Sequence, residues 1–161
     1  MNDRPFPDLK PHHAGLNVRD LEESIAFWTD TFGFEEDFRA EIPPIKAKIA
    51  FLKRDGYRLE LFQIEGSAAV PQERLRPNTD LDIQGTKHIC FSVEDPQVAL
   101  EQLHDRGVRI VGVMRGHGKP MGVEDDPRLD PEGRKDPAMA FFFLDPSDIL
   151  VEIIRRSDFQ D

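Results

Sequence analysis

The chain has 161 residues and a net charge of -10, from 21 Lys and Arg against 31 Asp and Glu, a balance that disfavours nonspecific attraction to nucleic acid or anionic membrane. A single domain spanning 1–161 would bury about 70% of its unfolded surface and need no covalent staple, and the one cysteine, Cys90, excludes an intramolecular disulfide. The N-terminal MNDRPFPDLKP lacks the apolar core of a signal peptide, and the longest apolar run, AMAFFFL at 138–144, is too short to span a bilayer; a soluble, cytoplasmic protein with no membrane partner is expected.

The first periodic segment is HAGLNVRD, 13–20. Strand alternation puts His13, Gly15 and Asn17 on one side and Ala14, Leu16 and Val18 on the other. Asp20 reads as a helix N-cap, with Glu23 three residues on as in a capping box. The helix that follows carries Leu21, Ile25, Trp28 and Phe32 on one stripe, and Gly33 can close it in a left-handed conformation. AFLKRDGYRLELF, 50–62, reads as a hairpin turning at Asp55-Gly56.

A polar connector covers about 66–86, after which the plan repeats. In KHICFSVED, 87–95, His88, Cys90 and Ser92 face one way and Ile89, Phe91 and Val93 the other. Asp95 caps a second helix with Pro96 at its first position; Val98, Ala99, Leu100 and Leu103 supply the apolar stripe and Gly107 ends it. FFFLDPSDILVEII, 141–154, reads as a hairpin turning at Asp145-Pro146-Ser147-Asp148, and Phe143 precedes Glu152 by nine residues as Phe51 precedes Glu60. The chain therefore reads as two copies of strand, helix and three strands: a first βαβββ module over about 12–65 and a second over about 87–155. The offset between copies grows from 75 (His13 to His88) to 92 (Glu60 to Glu152). The extra residues fall in 112–138, a Gly-, Pro- and charge-rich loop or lid.

Each copy holds a His at the start of its first strand and a Glu in its last strand. Glu60 sits between Leu59 and Leu61, and Glu152 between Val151 and Ile153. Alternation sets Glu60 opposite its leucines, whereas Leu150 and Ile154 share the side of Glu152. A carboxylate within an apolar strand must face a solvated cavity, a partner, a proton or a metal. A pseudo-twofold axis relating the copies would bring the four side chains together, and imidazole with carboxylate suits Zn, Ni, Co, Mn or Fe better than Mg or Ca.

On HHAGLNVRDLEESIAFWTDTFGFE, YRLELF, GTKHICFSVED and FFFLDPSDILVEII, the sequence resembles the vicinal oxygen chelate superfamily over about 12–155. That superfamily includes glyoxalase I, methylmalonyl-CoA epimerase, extradiol dioxygenases and the fosfomycin and bleomycin resistance proteins. The resemblance implies an α+β fold of paired βαβββ modules forming a metal-lined cup. It further implies one divalent metal per cup (Zn, Ni, Co, Mn or Fe) on His13, Glu60, His88 and Glu152, a small-molecule substrate and a homodimer. Two His with two Glu resemble the glyoxalase and epimerase members, in which a metal-stabilised enediolate follows proton abstraction next to a carbonyl. Glu152, or else Glu60, is the expected base. An extradiol-type dioxygenase and a drug-binding resistance protein are the alternatives. One departure is that IKAKIAFLK offers Lys46 and Lys48 where epimerases can carry an acidic base.

The remaining polar candidates have blander readings. His12 is out of phase with the repeat and reads as a strand-edge residue; His104 reads as exposed on a helix, and His117 belongs to the long loop. Arg115, Lys119, Arg134 and Lys135 offer positive charge to an anionic substrate, or else are solvated charges interleaved with Glu124, Asp125, Asp126 and Asp130.

Overall fold

Alternation and capping produce the first unit as read. In the computed structural model, which describes residues 5–6 and 8–159, the chain divides into two compact units, Met1–Ser67 and Ala68–Asp161. The first holds β1 (His13–Asn17), α1 (Leu21–Phe32), β2 (Glu35–Ile42), β3 (Ala47–Arg54) and β4 (Tyr57–Ile64). Its sheet runs β1-β4-β3-β2, with β1 parallel to β4 and the other neighbours antiparallel. Extended Asp20 accepts from the Glu23 N–H at 2.9 Å, and the Leu21 N–H donates to Gln63 Oε1 at 2.9 Å, so α1 begins with its orphan donors satisfied from its own cap and from β4. Gly33, at φ 63°, ends it.

One face of this sheet is covered by α1. Leu21, Ile25 and Trp28 are buried with Leu16, Ala50, Leu52, Leu59 and Leu61, while His13, Gly15 and Asn17 are exposed on the other side. The β3–β4 hairpin turns through Asp55 (φ 49°) and Gly56 (φ 81°). Two successive left-handed residues match the twist of a two-residue hairpin.

The second unit repeats the order with β5 (Ile89–Val93), α2 (Pro96–Asp105), β6 (Arg109–Met114), β7 (Ala140–Leu144) and β8 (Leu150–Arg155) in a sheet ordered β5-β8-β7-β6. Asp95 Oδ1 accepts from the N–H groups of Gln97 (2.9 Å) and Val98 (3.2 Å). Two sequence readings need correction here. Val98 is 49% exposed, and the buried polar residue on α2 is Gln97, at 4%. Residue 97 lies three before Leu100 and faces the long loop as well as the sheet. The partner of Glu152 across β7–β8 is Phe142, ten residues before it, where Phe51 stands nine before Glu60. A five-residue turn, 145–149, replaces the two-residue turn of the first hairpin and shifts the count by one; Phe143 lies on the helix side, fully buried. His104 is half-buried in the last turn of α2 rather than exposed.

The loop after β6 is strapped to its own unit. Val113 and Gly122 exchange backbone hydrogen bonds at 2.7 and 3.1 Å, covering edge strand β6. Arg115 forks onto Glu124 at 2.6 and 2.9 Å and donates also to Gln97 Oε1 (2.9 Å), the Asp136 carbonyl (2.6 Å) and the Pro127 carbonyl (2.7 Å). Gln97 in turn accepts from the Ala138 N–H at 3.0 Å and donates to the Pro127 carbonyl at 3.0 Å. These bonds tie the loop to α2. Arg115, Lys119, Arg134 and Lys135 all have carboxylate partners, so they are neither free for a substrate anion nor, in the case of Arg115 at 12% exposure, solvated.

The connector also has a structural role absent from the sequence reading. Leu75 is buried with Val111, Phe142, Leu144 and Leu150, and Val70 and Met121 pack on that cluster. Since Phe142 and Leu150 share the face of Glu152, these residues cover part of the side of the second sheet that α2 leaves open.

Candidate metal centre

Each unit pairs its histidine with its glutamate. Parallel pairing of β1 with β4 sets Gly15 beside Glu60 and His13 beside Arg58, so His13 and Glu60 lie on one face, one strand and two residues apart. His13 Nε2 is 3.3 Å from Glu60 Oε2. The pairing of β5 with β8 sets Cys90 beside Glu152, and His88, immediately before β5, places Nε2 3.0 Å from Glu152 Oε2. All four side chains are partly covered, the glutamates at 18% and 20% exposure and the histidines at 39% and 33%.

A phenyl ring backs each pair at matching register. Phe51 lies across the ladder from Glu60 and meets His13 edge to face at 5.7 Å; Phe142 lies across from Glu152 and meets His88 edge to face at 5.3 Å. These rings limit imidazole rotation and exclude water from one side of each pair.

The donors fit a divalent ion. Two donors each about 2.0–2.2 Å from one ion lie about 3.0 Å apart at a right angle and about 3.4 Å apart at the tetrahedral angle, which brackets both observed separations. The donors come in twos: among the described residues, no group of three or more His, Cys, Asp or Glu that could hold a metal ion is assembled.

The surroundings of the two pairs differ. A Cβ at Gly15 would stand 3.4 Å from Phe62 Cε2 and 3.7 Å from Glu60 Oε2, both ordinary contacts. The matching residue in the second unit is Cys90. Part of that residue reaches solvent, yet burial, with the negative charge and hydrogen bonding of Glu152 added, pushes its thiol up to about 12. Cys90 is therefore a neutral thiol and a poor nucleophile at neutral pH. Ser92, two residues on, is exposed.

The residue preceding each histidine differs as well. His12 Nδ1 lies 2.8 Å from His13 Nδ1, with the rings edge to face at 5.1 Å, a contact the sequence did not signal. Lys87 instead donates to the Asp80 carboxylate at 3.1 Å and to the Asp80 carbonyl at 2.6 Å, fastening the connector to the start of β5. On β3, the residues facing the His13–Glu60 side are Ala47, Ile49, Phe51 and Lys53. Lys46 precedes the strand and pairs with Glu65, and Lys48 is exposed opposite Gln63. His117 is exposed in the loop. A surface cavity of about 390 Å³ lies at the β3–β4 turn, lined by Lys53, Arg54, Asp55 and Arg58 rather than by His13 or Glu60.

Two βαβββ units, each with a His–Glu pair on the face away from its helix, define a glyoxalase-like protein. The chain belongs to the glyoxalase/bleomycin resistance protein/dioxygenase superfamily, whose family model matches residues 10–153. It is 28% identical over 114 residues to an ethylmalonyl-CoA/methylmalonyl-CoA epimerase of Cereibacter sphaeroides, covering 68% of this chain and 83% of the relative. It is 27% identical over 120 residues to glyoxalase I of Saccharomyces cerevisiae, covering 64% of this chain and 37% of that protein. Among solved structures it resembles the trypanothione-dependent glyoxalase I of Leishmania major with a TM-score of 0.60 and 21% identity, over 91% of this chain and 86% of the other.

Proposed function

We propose that this chain is a divalent-metal-dependent lyase or isomerase that moves a proton on a carbon next to a carbonyl. His13, Glu60, His88 and Glu152 form the metal-binding set, and Glu152, with Glu60 as the other candidate, is the base. The observation that carries this reading is the duplicated pair: His Nε2 and Glu Oε2 separated by 3.3 and 3.0 Å at matching register in the two units. Similarity to an epimerase and to glyoxalase I supports proton transfer over oxygen chemistry.

A bound divalent ion supplies Lewis acidity to substrate oxygens. The chain's own residues do the rest. Phe51 and Phe142 hold the imidazoles and keep water from one side. Glu152 takes the proton and returns it to the same or the neighbouring carbon, a task to which a positioned general base contributes about 10² to 10⁴ in rate. Cys90 lies beside Glu152 across the β5–β8 pairing. The proposed substrate class is a small acyl thioester or hemithioacetal.

Deuterium uptake separates this reading from its rivals. Metal-loaded protein in deuterated water should introduce solvent deuterium into an acyl-CoA or hemithioacetal substrate without consuming oxygen, and Glu152→Gln should keep its fold while losing about 10² to 10⁴ of that exchange. Full exchange by Glu152→Gln would remove the base assignment. Oxygen consumption would replace the reaction class.

A further inference from the structure

We infer that His12 is a positioning residue for His13, fixing the ring form that leaves the Nε2 lone pair free for a metal held beside Glu60. The inference rests on the proposed role of His13 as a ligand. The ring nitrogens His12 Nδ1 and His13 Nδ1 are 2.8 Å apart, so one carries the hydrogen and the other accepts it. Neutral His13 can offer an Nε2 lone pair to a metal held beside Glu60 only with its hydrogen on Nδ1, whereas the 3.3 Å contact of Nε2 with Glu60 Oε2 by itself suits a hydrogen on Nε2. With a metal on Nε2, His13 donates and His12 accepts, an arrangement in which the outer nitrogen's partner sets the tautomer and orientation of a ligating imidazole.

Packing does not account for His12. Its side chain is exposed, and its place before β1 contributes nothing to the helix-side core. Its backbone is nonetheless held, because the His12 carbonyl accepts from the Arg58 N–H at 3.1 Å and extends the β1–β4 ladder by one bond. The ring is thus carried on ordered backbone, and a side-chain substitution leaves that bond in place. The device is confined to the first unit: the corresponding residue in the second is Lys87, whose ammonium is committed to Asp80.

Titration of metal-free protein with Co(II) and with Zn(II) tests the inference without relying on activity. His12→Ala should weaken binding about 10- to 100-fold, the range for loss of a ligand's outer partner. The Co(II) visible spectrum at saturation should stay unchanged, since no ligand is lost, and so should thermal unfolding of the metal-free protein. His12→Gln, whose amide oxygen can accept from Nδ1–H, should recover most of the affinity, and His104→Ala should match the wild type. Wild-type affinity in His12→Ala beside severe loss in His13→Ala would overturn the inference alone. Equal loss in His12→Ala and His12→Gln, or an altered saturated spectrum, would overturn it as well. Unchanged affinity in His13→Ala would instead refute the ligand assignment on which it rests.

Discussion

In the first unit, the hairpin carrying Glu60 closes through two left-handed residues, Asp55 and Gly56, and a short turn at 43–46 joins β2 to β3. In the second, the hairpin carrying Glu152 closes through five residues, a 25-residue strap at 115–139 covers the edge strand, and the connector packs Leu75 onto the open face. Yet the His–Glu separation, the Glu register and the phenyl ring behind each histidine agree closely. Geometry retained through so much local change is the geometry the proposed chemistry requires. The differing parts control what surrounds the pairs.

The largest test of this comparison lies in the two helix-side cores. Trp28 in the first unit and Phe143 in the second are both fully buried, so Trp28→Ala and Phe143→Ala should each cost about 3–5 kcal/mol in urea unfolding. Phe142→Ala, on the other face, should in addition loosen His88. A cost below about 1 kcal/mol at either core position would contradict the two-faced sheets described above.

A sharper contrast concerns the second residue after each cap. Gln97 is buried and joins α2 to the strap, whereas its counterpart Glu22 is exposed and pairs with Arg39. Gln97→Ala strands the Ala138 N–H and removes one of the Arg115 bonds, costs about 1–3 kcal/mol and should expose the 115–139 loop to limited proteolysis; Glu22→Ala should leave stability essentially unchanged.

Acid should reach the same hub. The Arg115 guanidinium, joined by Lys135, holds the Glu124 carboxyl below its ordinary 4.5. A folded value below the unfolded one means that the stabilisation is fully present above 4.5 and is lost as pH falls through the lower folded value. Protease resistance of the loop should therefore be flat above 4.5 and decline below it.

The smallest expected difference is at the caps. Asp20→Ala and Asp95→Ala should each cost about 1 kcal/mol, with Asp95 the costlier because it accepts two N–H groups where Asp20 accepts one. Equal or reversed costs would show that the count of accepted bonds does not set the difference.

These contrasts also show what was legible in the sequence. Local chemistry could be read directly: Asp20 and Asp95 cap, Gly33 closes, Asp55-Gly56 turns, and the alternation around His13 and His88 marks the right face. Quantities depending on distant segments could not. Gln97 and Val98 exchanged roles because a third layer, the strap, lies against α2; the run of residues 97, 100 and 103 on one stripe was the available signal. The pairing of Phe142 with Glu152 was not legible because turn length, not residue type, sets the register. His12 was dismissed by its phase, since strand periodicity says nothing of a ring turning back onto its neighbour.

The central claim is that the two pairs serve one metal function, and the metal content of single-pair variants tests it most directly. Elemental analysis after loading with Zn, Ni, Co, Mn or Fe(II) should find about one ion per chain in the wild type and severe loss in both His13→Ala and His88→Ala, because ligands in both units are required. Full binding in either variant, or no ion and no thermal stabilisation of the wild type with any of these metals, would contradict the account.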